Sequence, residues 1–344
     1  MKFSPIVQYL RGFAAIMVLC YHVALHWIPQ DKPHYFLLSG GVDIFFVISG
    51  LVMWSVTAGK AGGAWRFLSR RLKRIVPLYW IMTTLMLAVL LIHPTATLTS
   101  KFELWHVISS YVFMPAIHPV KGTFEPLLFP GWTLNYEMMF YALFTLALFA
   151  PLRWRLGFIL VPLVLFVLTG LIPHSPTSQI AFYSNTLLLE FGMGCVLGLL
   201  IAHATPQRLP SWFGGALILL GAISLGLLSL VPWLPRGLAW GVPAALFVSG
   251  CVFLEQARGA TRIPALLLVG DASYSIYLSH VLVLSALFQA AHRIVHDPRL
   301  VVLASIVMVC ACIGAGIAVY LFIERPIIKW LKEPRALLVA AAAE

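Results

Sequence analysis

The residues of this chain best suited to chemistry lie inside apolar sequence. Arg11 and His22 belong to the stretch QYLRGFAAIMVLCYHV, with ten residues between them. Eleven helical steps end about 20° beyond three full turns, so both side chains share one helix face, about 16 Å apart along its axis. Ionisable residues in membrane spans are functional candidates by default, and an imidazole can serve as a general base. The structural alternative is that Arg11 reaches the headgroups and His22 makes one interhelical hydrogen bond.

Two carboxylates lie near the starts of other apolar stretches. Asp43, in GGVDIFFVISG, is expected at a depth similar to that of His22, where a carboxylate would fix the imidazole tautomer and raise its basicity. Glu137, in GWTLNYEMMFYALF, has apolar and aromatic neighbours that give no reason for a carboxylate except a partner or a catalytic role. The alternatives are that Asp43 caps its helix and that Glu137 pairs with an arginine.

A polar stripe follows in the stretch DASYSIYLSH. Ser273, Tyr277 and His280 have i, i+4, i+7 spacing and therefore share one helix face. They are candidates for binding substrate or an oxyanion, although such a stripe also occurs between helices that only pack together. Because the two carboxylates and His280 can all lie at the depth of His22, the sequence predicts that four helices converge on one polar pocket.

A basic segment, residues 59–75, precedes the third apolar stretch. On a helical projection Arg66, Arg70, Lys73 and Arg74 share one side, with Trp65 among the apolar residues on the other. The sequence therefore predicts a short amphipathic helix in the inner headgroup region. Its arginines either anchor the chain on anionic lipid or bind an anionic cytoplasmic cofactor such as a nucleotide-bearing thioester. The arginines concerned are Arg66, Arg70, Arg71 and Arg74.

These residues are set in a chain with the composition of a polytopic membrane protein. Of its 344 residues, 61% are hydrophobic and 10% are charged, against about 25% charged in soluble domains. Ten apolar stretches have the roughly 17–25 residues that span a bilayer as helices. They lie near residues 7–27, 36–58, 75–93, 132–150, 156–172, 181–202, 212–231, 238–254, 271–291 and 301–323. The sequence predicts an all-α membrane bundle, with residues 1–335 as one integral-membrane domain and residues 336–344 as a short C-terminal tail.

The distribution of charge predicts the orientation of the chain. The net charge is +11, and most of the 23 Lys and Arg residues fall on one side if both termini are cytoplasmic, as the positive-inside rule expects. This bias accounts for the basic charge without nucleic acid. The five cysteines lie in apolar stretches without metal-binding spacing, so no metal is expected. The first span shows no small-residue cleavage site and is expected to be an uncleaved anchor.

Together these stretches resemble the acyltransferase-3 family of bacterial membrane acyltransferases. The resemblance rests on the Arg11–His22 pattern and on five motifs in the same order, which extend from residue 8 to about residue 330. The motifs are GGVDIFFVISG at 40–50, RRLKRIVPLYW at 70–80, GWTLNYEMMFY at 131–141, SYSIYLSH at 273–280 and ERP at 324–326. Glu324 in the last motif is expected to pair with a nearby arginine.

The resemblance implies that the chain transfers an acyl group, usually acetyl from acetyl-CoA, to a hydroxyl of a glycan or lipid-linked saccharide at the bacterial inner membrane. It implies that His22 and Arg11 form the essential pair, supported by Asp43, Glu137 and the arginines of residues 70–74. Many relatives add an SGNH-type domain, which is not expected here. The resemblance is therefore to the stand-alone subgroup that modifies exopolysaccharides, Nod-type lipo-oligosaccharides or macrolides.

The resulting hypothesis gives each group a role. Arg11 and the basic segment hold the CoA phosphates, and His22, oriented by one of the two carboxylates, deprotonates the acceptor hydroxyl. Tyr277, Ser273 or a backbone amide stabilises the oxyanion. Direct transfer is favoured, with an acyl-imidazole on His22 as the alternative. The rival function is a proton-coupled exporter of a lipid-linked sugar, although the sequence shows no internal repeat. The acceptor, the acyl length and the oligomeric state, homo-oligomers included, are left open.

Overall fold

The computed structural model describes residues 4–27, 36–57, 63–93, 101–203, 210–231, 233–291 and 299–332. Within these ranges the chain is helical apart from its connections and one isolated β-bridge, so the all-α prediction is confirmed. Nine helices of the described part are long and apolar enough to cross a membrane. The helix Gly131–Ala147, with 17 residues, corresponds to the remaining predicted span. The predicted tail, residues 336–344, lies outside the described residues.

The principal helices are α1 (Pro5–Trp27), α2 (Gly41–Thr57), α3 (Ala64–Ile92), α4 (Leu104–Tyr111), α5 (Gly131–Ala147), α6 (Leu152–Leu168), α7 (Leu188–His203), α8 (Ser211–Leu228), α9 (Val242–Arg258), α10 (Pro264–Asp271), α11 (Ser273–Ala291), α12 (Leu300–Val319) and α13 (Arg325–Lys332). Helix α1 packs against α2, α9, α10, α11 and α12 and therefore lies among several other helices. We call the end of the bundle at which α1 begins the inner face and the opposite end the outer face. Arg11 thus lies toward the inner face and His22 toward the outer face.

The predicted surface helix at residues 59–75 is instead the first part of α3. This helix begins after Gly63, whose φ of 108° is left-handed, and continues through Pro77. Phe67 and Ile75, which lie within the basic segment, are buried on the same side of α3 as the apolar residues that follow. The basic part of α3 therefore packs against the bundle as a continuation of the span. The prediction of a separate short helix is therefore wrong, because one continuous helix carries both the arginines and the apolar turns that follow.

Close backbone contact fixes α2 between its neighbours. A Cβ atom on Gly50 would collide with the carbonyl oxygen of Phe191 on α7. One on Gly41 would press against the carbonyl oxygen of Ala14 on α1. The glycines of the GGVDIFFVISG motif therefore permit tight helix packing, which small residues typically allow in membrane bundles. Helix α5 is held on α7 by stacking of Phe140 on Phe191, with ring centroids 4.2 Å apart.

Candidate active site

Two neighbouring cavities share part of their walls. The inner cavity, about 120 Å³, is lined by Arg11 and by arginines of α3. The outer cavity, about 290 Å³, is lined by His22 and by residues of the connection between α4 and α5. Val42 of α2 and Tyr277 of α11 line both cavities. These two side chains therefore form the boundary between the two cavities.

The inner cavity carries an excess of positive charge. Arg11 comes from α1, whereas Arg71 and Arg74 come from successive turns of α3, and Glu137 of α5 is the acidic residue in the same wall. The Arg71 guanidinium lies over the ring of Phe67, 5.5 Å from its centroid. Three guanidinium groups around one carboxylate in an apolar bundle favour an anionic ligand, with arginine well shaped for phosphate.

Two of the predicted cofactor-binding arginines lie elsewhere. Arg66 and Arg70 are exposed and line neither cavity, and Trp65, predicted on the apolar side of the amphipathic helix, is 71% exposed. The prediction that Arg66, Arg70 and Arg74 share one binding face is therefore wrong. Helix α3 packs through Phe67 and the turns in line with it, which turns Arg71 and Arg74 inward and the other two arginines away.

Two imidazole rings meet at the outer cavity. His280 Nε2 lies 3.3 Å from His22 Nδ1. His280 Nδ1 is 2.6 Å from the carbonyl oxygen of Tyr277, and His22 Nδ1 is 2.8 Å from that of Val18. A carbonyl only accepts, so these contacts assign the proton to Nδ1 in both neutral rings. His22 Nδ1–H then points to Val18 and His280, and His22 Nε2 is left as the basic nitrogen.

The carboxylates do not orient His22 as predicted. Asp43 is fully buried and accepts hydrogen bonds from Arg236, at 3.0 Å from Nε and 2.6 Å from Nη2. Glu137 belongs to the inner cavity and accepts hydrogen bonds from Ser49 Oγ at 3.1 Å and Tyr141 Oη at 2.6 Å. The prediction of one pocket shared by four helices is therefore wrong. Similar depth along two helices does not determine which way their side chains face.

The predicted stripe on α11 divides into residues with different surroundings. Tyr277 Oη lies 2.8 Å from Thr133 Oγ1 and 3.1 Å from the carbonyl oxygen of Pro130, so it contacts the wall between the cavities. Ser273 is fully buried, lines neither cavity and has no hydrogen-bond partner for its hydroxyl among the described residues. The structure therefore supports Tyr277 as an oxyanion candidate and gives Ser273 no access to substrate.

One further acidic prediction is also corrected. Glu324, expected to pair with an arginine, instead accepts a hydrogen bond from Ser275 Oγ at 2.5 Å. Within the described ranges the ion pairs are Lys121–Glu125 and Arg236–Asp43. No group of three or more His, Cys, Asp or Glu side chains there is placed to hold a metal ion.

Two buried polar residues were missed in the sequence. Glu190 of α7 is fully buried against Asp43 and Arg236. It is a lone carboxylate in apolar sequence, the same signal that identified Glu137. Arg236 caps the π-helical turn Gly237–Gly241, which leads directly into α9, and its partner Asp43 is 193 positions away in sequence. Only the fold brings these two residues together.

Comparison with known proteins gives a consistent result. Residues 5–321 match the family described as an acyltransferase domain. The exopolysaccharide production protein ExoZ of Rhizobium meliloti is 35% identical over 312 residues, which cover 88% of this chain and 94% of ExoZ. The O-acetyltransferase OatA of Staphylococcus aureus is 26% identical over 317 residues, which cover 81% of this chain and 50% of OatA. The chain thus matches about half of OatA. No solved structure shows significant similarity to it.

Proposed function

Because the chain belongs to the acyltransferase-3 family, we propose that it transfers an acyl group, acetyl being the expected one, from cytoplasmic acyl-CoA to a saccharide hydroxyl at the bacterial inner membrane. The two relatives support this proposal, since one is named an exopolysaccharide production protein and the other an O-acetyltransferase. The acceptor would be a glycan or a lipid-linked saccharide.

The observation that carries the proposal is the contact between the two cavities. An arginine-lined cavity toward the inner face suits the phosphates of a CoA thioester. A cavity toward the outer face holds His22 with its Nε2 free to accept a proton. Because both cavities reach Val42 and Tyr277, a thioester from one side and a hydroxyl from the other can meet at that wall.

His22 is the general base in this mechanism. Its Nε2 accepts the proton of the acceptor hydroxyl while that oxygen attacks the thioester carbonyl carbon. The carbon–sulfur bond of the tetrahedral intermediate then breaks, and His22 returns the proton to the departing CoA sulfur. A base positioned in this way contributes about 10²–10⁴-fold to the rate.

The neighbours of His22 give this base its orientation. Nδ1–H is held by the Val18 carbonyl oxygen and lies 3.3 Å from His280 Nε2, so the imidazolium formed during the reaction has two acceptors for that proton. His280 is a positioning residue in this scheme. The Tyr277 hydroxyl is the nearest candidate donor at the shared wall for the oxyanion of the intermediate.

The test is acceptor-dependent thiol release by the full chain in lipid nanodiscs. With acetyl-CoA and a panel of polysaccharides and glycosides, the wild type should release CoA thiol and acetylate one of the sugars. His22→Ala should lose at least about 10²-fold in rate while binding acetyl-CoA normally. His203→Ala, which changes an exposed histidine at the end of α7, is the matched control.

Two results would overturn the proposal. Undiminished acetyl transfer by stably inserted His22→Ala protein would remove the general base. Movement of labelled lipid-linked saccharide across the membrane without consumption of thioester would show a transporter instead.

A further inference from the structure

A compact charged cluster lies beside the outer cavity. Asp43 on α2 and Glu190 on α7 are both fully buried, and Arg236 lies between them and the cavity. Asp43 accepts hydrogen bonds from Nε and Nη2 of Arg236. The indole of Trp240 covers the guanidinium, with Cζ 5.4 Å from the ring centroid. The guanidinium is therefore held in one orientation.

This cluster contains two carboxyl groups, those of Asp43 and Glu190, and one guanidinium group, that of Arg236. Neither oxygen of Glu190 has a hydrogen-bond donor among the described residues, and its carboxyl group faces that of Asp43. Two ionised carboxylates in contact inside an apolar bundle would repel each other without water to screen them, whereas one proton removes that repulsion. Because Arg236 donates to both oxygens of Asp43, the proton belongs on Glu190, and the three side chains together then carry no net charge.

The neutral cluster determines what Arg236 can offer a ligand. Its hydrogen bonds to described residues use Nε and Nη2, which leaves Nη1 for a molecule in the cavity. The positive charge is already balanced by Asp43, so Nη1 acts as a directional donor and not as an unpaired cation. The carboxylate of Glu125 in the same wall is paired with Lys121, at 2.7 Å, and therefore adds no net charge to the site.

The rest of the wall is suited to a sugar ring. Trp132 and Phe129 line the outer cavity beside Arg236 and His22. Flat aromatic side chains offer large apolar area with little loss of conformational entropy, which matches the apolar C–H face of a pyranose. A few directional polar groups in a mostly apolar wall are typical of small-molecule sites.

We infer that the outer cavity binds an uncharged pyranose of the acceptor, with Arg236 Nη1 donating to a sugar hydroxyl and Trp132 packing against the ring, and that it discriminates against uronates. This inference rests on the proposed function, because it makes the outer cavity the acceptor side of the reaction. Asp43 and Glu190 are positioning residues that hold Arg236 and cancel its charge. The ligand class follows from the charge balance of the site.

The test measures binding directly and uses two probes that differ in one group. Methyl β-D-glucopyranoside and the corresponding methyl glucopyranosiduronate are radiolabelled and equilibrated with the full chain in nanodiscs. The neutral glycoside should bind at least tenfold more tightly than the uronate. Equal binding, preference for the uronate, or binding of neither by protein that binds acetyl-CoA normally would overturn the inference.

Variants assign the effect to residues. Arg236→Lys should weaken binding of the neutral glycoside at least tenfold, since an ammonium cannot occupy the same fork of hydrogen bonds. Trp132→Ala, which leaves the buried cluster intact, should do the same. Arg299→Lys at the start of α12 is the control and should change nothing. Normal glycoside binding by both Arg236→Lys and Trp132→Ala would overturn the assignment.

The remaining variant tests the charge balance of the cluster. Thiol release from acetyl-CoA then distinguishes failure of this inference from failure of the proposed acyl transfer. Glu190→Gln keeps the size of the side chain and should leave the preference for the neutral sugar unchanged, whereas a gain of uronate binding would show that the glutamate was ionised. If acetyl transfer depends on His22 but these variants bind sugar as the wild type does, the inference fails and the proposed function stands. If the sugar binds as expected but no thioester is consumed, the proposed function fails and sugar binding in the outer cavity stands.

Discussion

His280 Nε2 lies 3.3 Å from His22 Nδ1, so an imidazole from α11 accepts where a carboxylate usually orients a catalytic histidine. The pair carries no net charge at rest, which lowers the cost of placing it inside a bundle. After proton transfer to His22, the new positive charge faces the lone pair of His280 and the carbonyl oxygen of Val18. His280 therefore stabilises the positively charged His22 of the transition state more than the neutral His22 of the resting enzyme.

Replacement of His280 should affect the rate and not substrate binding. His280→Leu leaves the Nδ1–H of His22 with one acceptor fewer, a loss of about 1–3 kcal/mol, and kcat should fall roughly 10- to 100-fold. His280→Gln supplies a side-chain oxygen and should recover part of the loss. Steady-state thiol release gives kcat and KM for each substrate. A rise in the KM for acetyl-CoA without a change in kcat would contradict the positioning role.

The arginines of α3 provide a comparison within one helix. Substitution of Arg71 or Arg74 by Gln should weaken acetyl-CoA binding about 10- to 100-fold, the effect of losing a charge-assisted hydrogen bond. Substitution of the exposed Arg66 or Arg70 should change binding by no more than about threefold, as for surface charges. Equilibrium dialysis at low and high salt measures both, and binding by the wild type should weaken as salt increases. If substitution of Arg66 or Arg70 weakened acetyl-CoA binding as much as substitution of Arg71 or Arg74, the donor would bind outside the inner cavity.

The hydroxyl of Tyr277 is tested by Tyr277→Phe, which keeps the ring and removes its contacts with Thr133 and Pro130. If this hydroxyl stabilises the oxyanion, kcat should fall about 10²-fold, as for other oxyanion donors, with normal binding of acetyl-CoA. Thiol release should be measured with and without acceptor. Faster release without acceptor, together with undiminished transfer, would show that the hydroxyl only closes the wall between the cavities.

Sequence periodicity predicts which residues share a helix face but not which face is buried. Arg11 and His22 lie toward opposite ends of α1, as their spacing predicts, and His280, expected only at a similar depth, lies beside His22. The arginines of α3 were misplaced because an apolar residue in a membrane protein can face lipid as well as the interior. Trp65 is such an apolar residue, because it is exposed and faces away from the bundle.

The pairing of Asp43 could not be predicted for a different reason. Its partner Arg236 caps a helical turn just before the apolar stretch predicted at residues 238–254, and the two residues are far apart in sequence. Burial of a carboxylate requires a partner, and the sequence offered His22 as the apparent one. The apolar helices were easier to predict, since length and apolar composition determine them directly.

The connection between α4 and α5 contains a histidine that should make the outer cavity sensitive to pH. His118 Nδ1 accepts hydrogen bonds from the backbone N–H groups of Val120 and Lys121, at 3.2 and 3.3 Å. Burial, together with nearby His106 and Lys121, lowers the pKa of His118 below its usual value, against a smaller opposite effect of Glu125. The turn therefore requires the neutral ring.

The sign of the pH effect follows from this lowered pKa. Between the pKa of the folded turn and the unfolded value of about 6.5, the unfolded segment binds more protons. The turn is therefore most stable above about pH 6.5 and loses stability as the pH falls toward the folded pKa. Because Thr123 and Glu125 of this turn line the outer cavity, the KM for the acceptor should rise over the same range.

Hydrogen exchange of residues 117–125, corrected for intrinsic rates, measures this effect between about pH 7.5 and about pH 5, above the usual carboxylate range. The wild type should lose protection on acidification. His118→Asn retains an acceptor that can bond backbone N–H groups two or three residues onward but does not titrate, so its protection should not depend on pH. Equal loss of protection in both proteins would assign the effect to another group, with Glu125 the nearest acid in the turn.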